Sequence, residues 1–309
     1  MKSRIYSAGL VGFLCTLLAL PAAFAAEKPP ASPGMATMTV TAVGKKDSSP
    51  PTVNKDDIQL TVGNERKQVA SWTKGDKLDV AILVDDSLDP NVAGQWDDVR
   101  AFINAQPDTT SIAVGYADNS TVFVAQDFTT DHALAAKALR IPRGYYSGGS
   151  SPYLSVIDWI KRWPANADRH SLVLISSGID FFRGGFGPIY PDVDTAISLA
   201  QKANINLWSL YYPGAGHYGR YFFLMDRGQL NLSKMTLETG GESFYLGFEA
   251  PVSFKPYLDE LQRHLSNQYL LSFAGESAKK GKFVSPRLKT ELPAVELMFA
   301  NQAYVQPSQ

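Results

Sequence analysis

Residues 77–90 constrain this chain more than any other stretch. Val80-Ala81-Ile82-Leu83-Val84 is an unbroken aliphatic run, the pattern of a strand buried on both faces. The run stops at Asp85-Asp86-Ser87-Leu88-Asp89. Pro90 then opens a segment of helical spacing through Val92, Trp96, Val99 and Ile103. Strand, acidic turn and helix in that order place Asp85, Ser87 and Asp89 at the carboxyl end of a central strand, where open α/β sheets bind their ligands.

The same rhythm continues downstream. Strands are expected at 111–116, 172–175, 205–210 and 242–245, with 121–125 returning as an antiparallel edge. Between and after them, helices are expected at 131–139 (Thr130 as N-cap), 152–163, 192–203, 224–238 with a break near Gly228, and 254–267. Upstream, 37–43, 58–62 and 67–72 read as a small β-meander. Downstream, 269–273, 287–290 and 296–299 read as strands without helices between the last of them. Those tail strands are expected to join the amino-terminal ones. The fold class is therefore α/β: a doubly wound, mostly parallel central sheet flanked by helices, with a small accessory β module from both chain ends. The expected segments are 1–25, 26–75, 76–273 and 274–309.

The first segment reads as a targeting signal. Lys2 and Arg4 precede an apolar run over 8–20, followed by Pro21 and Ala23-Phe24-Ala25, which predicts a cleaved secretory signal peptide. The run is short for a membrane span, so the mature chain is expected to carry no transmembrane span and to be secreted or periplasmic. An uncleaved anchor is the alternative. Cys15, the one cysteine, lies inside this segment, so the mature chain would hold no thiol or disulfide. Losing Lys2 and Arg4 takes the formal net charge from −1 to −3. No basic run points to nucleic acid.

Three motifs resemble the metal-binding loops of von Willebrand factor A domains. Asp85-x-Ser87-x-Asp89 resembles the first loop, Asp-x-Ser-x-Ser. Gly148-Gly149-Ser150-Ser151-Pro152-Tyr153 resembles the second, Gly-Gly-Thr-x-x-Tyr, with Ser150 in the threonine position. Residues 171–180 resemble the strand and third loop, an apolar run followed by Thr/Ser-Asp-Gly-x-Asp. The flanks, 56–60 and 267–273, are similar to the related domain common in acidobacterial secreted proteins. The resemblance implies an adhesion or protein-binding module and a Mg²⁺ or Mn²⁺ site built from Asp85, Ser87, Asp89, Ser150 and Asp180. It also shows where such a site is degenerate. Asp89 replaces a serine, Ser177 stands in the aspartate position, and Asp180 lies three residues later. Hard cations do favour such oxygen donors. Asp89 before Pro90, and Ser150 or Ser151 before Pro152, equally suit helix N-caps with no metal at all.

Three loop segments near these motifs are rich in rings: 144–148, 181–190 and 211–221. Tyr145, Tyr146, Tyr153, Phe182, Phe186, Tyr212, His217 and Tyr218 are the candidate contacts for a protein or peptide partner, since aromatics with glycine suit recognition surfaces. The alternative is packing of those rings under their own loops. An enzyme is not expected. His132, His170, His217 and His264 sit in unrelated contexts, and Gly-x-Ser-x-Gly, zinc-type histidine spacing and a phosphate-cradling glycine loop are all absent. A purely structural envelope protein and, further off, a hydrolase are the competing readings.

Overall fold

The computed structural model describes residues 34–45, 50–145, 150–164, 167–182, 191–215, 221–276 and 280–307. At its centre is β5 (Leu78–Asp85), whose eight residues are all buried. Its alternation sorts them into two cores. Leu78, Val80, Ile82 and Val84 face one core, while Ala81 and Leu83 face the other. A strand can do this only with helices on both sides of its sheet.

Parallel neighbours flank β5: β6 (Thr110–Asp118) on one side and β8 (Arg169–Ser176) on the other. The sheet continues from β8 to β9 (Ile205–Tyr211) and the short β10 (Ser243–Phe244), and from β6 to an antiparallel edge, β7 (Thr121–Thr129). The strand order is thus β10-β9-β8-β5-β6-β7. Chain direction reverses at β5, since β6 and β8 lie on opposite sides of it. That makes the carboxyl end of β5 the switch point where doubly wound folds bind ligands.

One face is covered by α1 (Trp96–Asn104), α2 (His132–Lys137) and α6 (Lys255–Ser266), which contribute Trp96, Phe102, Ala135, Leu258 and Leu261 to the first core. The other is covered by α3 (Pro152–Lys161), α4 (Pro191–Ala203) and α5 (Phe222–Glu238), which contribute Tyr153, Trp159, Val193 and Met235 to the second. Local chemistry sets the helix starts. Asp89 Oδ1 accepts from Asn91 N at 2.9 Å and opens a 3-10 turn (Pro90–Gln95) that runs into α1. Ser151 Oγ accepts from Leu154 N at the head of α3, with Pro152 in the first turn. The cap of α2 is Asp131, accepting from Leu134 N, rather than the expected Thr130.

The chain ends build the accessory β module, as the tail pattern suggested. β1 (Met35–Gly44) pairs antiparallel with β11 (Gln268–Ala274), β14 (Val295–Phe299) and β15 (Ala303–Val305). Two corrections apply here. The amino-terminal strands do not form one meander: β2 (Ile58–Val62) and β3 (Glu65–Lys67) pair with β13 (Pro286–Thr290) in a separate three-stranded sheet, whereas β4 (Val69–Thr73) pairs with β11. β11 itself, read as the end of the α/β segment, belongs to the accessory sheet, so the α/β layer closes with α6. Partner choice was decided by a third core around Met38, Val40, Leu60, Leu271 and Phe273, where Trp72 stacks on Tyr269 at 4.6 Å.

The expected break near Gly228 is absent, and α5 runs through it. The glycine serves close approach instead. A Cβ at Gly228 would lie 2.3 Å from Ser177 O, and one at Gly178, which has φ of +70°, would lie 2.3 Å from Gly228 O. Helix and loop touch backbone to backbone. Gly228→Ala is therefore expected to cost about 2 kcal/mol by overpacking, read as a lowered denaturation midpoint with unchanged slope. An unchanged midpoint would show that the helix can slide.

Candidate functional site

β5 ends in Asp85, and adjacent β8 ends in Ser176. Because the strands are parallel and Val84 is level with Ile175, the next residues, Asp85 and Ser176, are neighbours. Asp85 is the hub of a small hydroxyl network. Its Oδ1 accepts from Ser87 N at 3.0 Å and from Ser87 Oγ at 2.7 Å, and its Oδ2 accepts from Ser176 Oγ at 2.7 Å. Ser176 Oγ in turn accepts from Gly178 N at 2.9 Å, which ties the third loop to the first. Burial pushes the Asp85 carboxyl above its ordinary pKa, and the bonds from Ser176 and Ser87 pull it partly back.

Asp86, beside the hub, faces a cation of the chain's own. Arg140 donates to both of its carboxylate oxygens, at 2.7 and 2.8 Å, and Arg143 N donates at 3.0 Å. The guanidinium lies 3.7 Å from the centroid of the buried Tyr116 ring, which keeps it flat against the loop. Gly144 N donates to Asp86 O, so this pair also anchors the segment leading to Tyr145. The loop after β9 closes the group: Asp89 N donates to Pro213 O and Ala215 N to Ser87 O. Phe181 N and Phe182 N both donate to Ser150 O, joining the second and third loops.

The structure thus ties Asp85 to Ser87, while Asp89 caps the turn after β5. Ser150 is held to the third loop through its backbone. Asp180 is buried in a crevice with Leu224, Arg227, Gly228 and Asn231 of α5. As a set, these residues fit a divalent cation poorly. Both Asp85 oxygens already accept hydroxyl donors, a hydroxyl at Ser177 replaces the expected third-loop carboxylate, and Asp85, Asp89 and Asp180 do not converge as a three-carboxylate group. Ser176 is the residue the motif reading passed over. Its signal was present, because a serine closing a strand paired with β5 must end beside Asp85.

Of the ring candidates, two are corrected. Tyr153 is fully buried, its hydroxyl donating to Gly178 O at 2.6 Å, and Tyr212 is buried against Phe254. Both rings fill core rather than face a partner: Tyr153 lies in the first turn of α3 and packs into the second core, and Tyr212 directly follows β9 and packs into the first. Tyr145 and Phe182 are exposed, at 60% and 48%. Tyr146, Phe186, His217 and Tyr218 lie outside the described residues, as does the whole 1–33 segment. Tyr221, Phe222, Phe223 and Phe248 were not among the candidates and are also exposed. They flank the carboxyl ends of β9 and β10, and Phe222 stacks on Phe248 at 4.7 Å. Among the histidines, His132 Nε2 is 2.9 Å from Thr110 O and His170 Nδ1 accepts from Trp163 Nε1. Neither adjoins a serine hydroxyl in those contacts. Among the described residues no helix is long and apolar enough to cross a membrane.

No protein-family model matches the chain, and no curated protein matches it. Solved structures do. An aerotolerance-related membrane protein from Bacteroides fragilis aligns at 11% identity over 61% of this chain and 98% of its own, with a TM-score of 0.45. The manganese-loaded TRAP protein of Plasmodium vivax aligns at 10% identity over 76% and 96%, with a TM-score of 0.43. A von Willebrand factor type A protein from Catenulispora acidiphila aligns at 10% identity over 92% and 76%, with a TM-score of 0.35.

Two outcomes test this geometry. Because the folded Asp85 carboxyl keeps its proton to higher pH than the unfolded one, ionised Asp85 costs stability, and the cost fades as pH falls through the folded value. Asp85→Asn should therefore match or exceed the wild-type melting temperature at about pH 7, the gap closing towards about pH 4. A large loss at neutral pH would contradict this. Asp86→Ala strands the Arg140 charge and should cost about 2 kcal/mol or more, measured by denaturant unfolding.

Proposed function

We propose that this chain, whose fold is von Willebrand factor A-like, is a protein-binding module of adhesion type that works outside the cytoplasm and engages its partner through an aromatic rim. The observation that carries the reading is the gathering of exposed rings at one end of one sheet. Phe182, Tyr221, Phe222, Phe223 and Phe248 lie on loops or a helix start that follow the carboxyl ends of strands. Tyr145 lies on the α2–α3 connection, which Gly144 N ties to Asp86 O at the end of β5. A soluble surface rarely keeps so many large rings in one region without an interaction to cover them. Rings combine wide apolar area with few rotatable bonds, so they bind at low entropic cost.

The hydroxyl-bonded Asp85 and the Arg140-clamped Asp86 supply a rigid floor beneath this rim. In this reading the contact does not depend on a cation at Asp85, in contrast to the Mg²⁺ or Mn²⁺ mode that the motif resemblance implies. Binding rather than catalysis is supported by the absorption of Asp85, Asp86, Ser87 and Ser176 into structural contacts. Export rests on the amino-terminal sequence pattern.

The test is capture from bacterial envelope extract by the immobilised protein, with and without EDTA. Wild type is expected to retain one or more proteins in both conditions. A Tyr145→Ser, Phe222→Ser, Phe248→Ser variant of unchanged melting temperature is expected to lose them about tenfold. Capture unaffected by these substitutions removes the rim reading, and capture abolished by EDTA restores the cation mode.

A further inference from the structure

A second polar cluster lies on the same sheet, separated from β5 by β9 and β8. Glu242 immediately precedes β10, and Glu260 and His264 stand one turn apart on α6. His264 Nε2 is 3.3 Å from Glu242 Oε2 and 3.8 Å from Glu260 Oε1, and all three ligand atoms lie within 4.8 Å of one another. The imidazole is 5% exposed, and its Nε2 makes no hydrogen bond. A buried ring nitrogen left unbonded costs free energy. Here it is aimed at two carboxylates that also need positive charge.

The ring is packed in an aromatic cluster, with centroids 5.6 Å from Trp208 and 6.2 Å from Phe244 at shallow interplanar angles. Tetrahedral ligation with metal–ligand bonds of about 2.0–2.1 Å separates ligand atoms by about 3.3 Å. The nitrogen–oxygen distances of 3.3 and 3.8 Å approach that value before any ion draws the glutamates in. One imidazole and two carboxylates neutralise a divalent ion, and a nitrogen among the donors favours zinc over magnesium or calcium. The glutamate side chains are 40% and 35% exposed, so a fourth position faces solvent.

We propose that His264, Glu242 and Glu260 form a zinc-type divalent-metal site that pins α6 to the β10 edge of the sheet and leaves one coordination position open. The site is independent of the Asp85 network and of the aromatic rim.

The test is titration of the purified chain with Zn²⁺ against a chromophoric chelator, with Co²⁺ absorption as a geometric signature. Wild type is expected to bind one equivalent and to give the intense visible bands of low-coordinate Co²⁺. Glu242→Gln and Glu260→Gln change partly exposed positions and should fold normally. Each should weaken Zn²⁺ binding about tenfold or more, and Asp85→Asn should leave it unchanged. His264→Gln should abolish it, but this variant changes a buried ring, so the glutamate variants carry the decision. The proposal is overturned by absence of stoichiometric binding at submillimolar Zn²⁺. It is equally overturned by binding that survives both glutamate substitutions or that is lost with Asp85→Asn.

Discussion

Everything in the α/β layer depends on β5 being buried on both sides. A strand with aliphatic side chains on both faces needs two helix layers and two parallel neighbours, and β6 and β8 supply the latter. Once those neighbours lie on opposite sides of β5, its carboxyl end becomes a cleft where the connections diverge. The polar residues at that end are therefore brought together by the topology. Asp85 and Ser176 meet because their strands are parallel and in register.

Electrostatics then decides what that end can do. A buried carboxylate needs donors, and the chain provides its own: two serine hydroxyls and an amide for Asp85, and the guanidinium of Arg140 for Asp86. A site whose charges are already met internally offers little to an incoming cation. It does make a stiff platform, since each bond also ties one loop to another. Ser176 joins the first and third loops, Asp86 joins the first loop to the segment before Tyr145, and Ser150 joins the second loop to the third. Tyr145 and Phe182 are carried directly on loops tied in this way.

The contrast with His264 is instructive. Asp85 is buried with its bonds complete, whereas the His264 ring nitrogen is buried with none. Completed bonds point to architecture, and a buried ring nitrogen left open towards two carboxylates is the feature on which the proposed metal site rests.

The order of layers, the two-faced burial of β5, the strand-to-helix turns and the position of Asp85 at a carboxyl edge were all legible in the residues themselves. Each follows from periodicity or capping chemistry within a few positions along the chain. The joining of both chain ends in a β module was legible in outline. Long-range choices were not. Periodicity marks a strand but does not name its partner, so β2, β4 and β11 were sorted among sheets only by the packing around Met38, Leu271 and Phe273. Ring exposure was equally nonlocal: Tyr153, in the first turn of α3, and Tyr212, just after β9, adjoin segments as aromatic as the one bearing Tyr145, yet their rings turn into the core. Residues distant in sequence, such as Glu242 and His264, meet only when α6 folds back over β10, because burial and bonding of a side chain depend on what the rest of the chain places beside it.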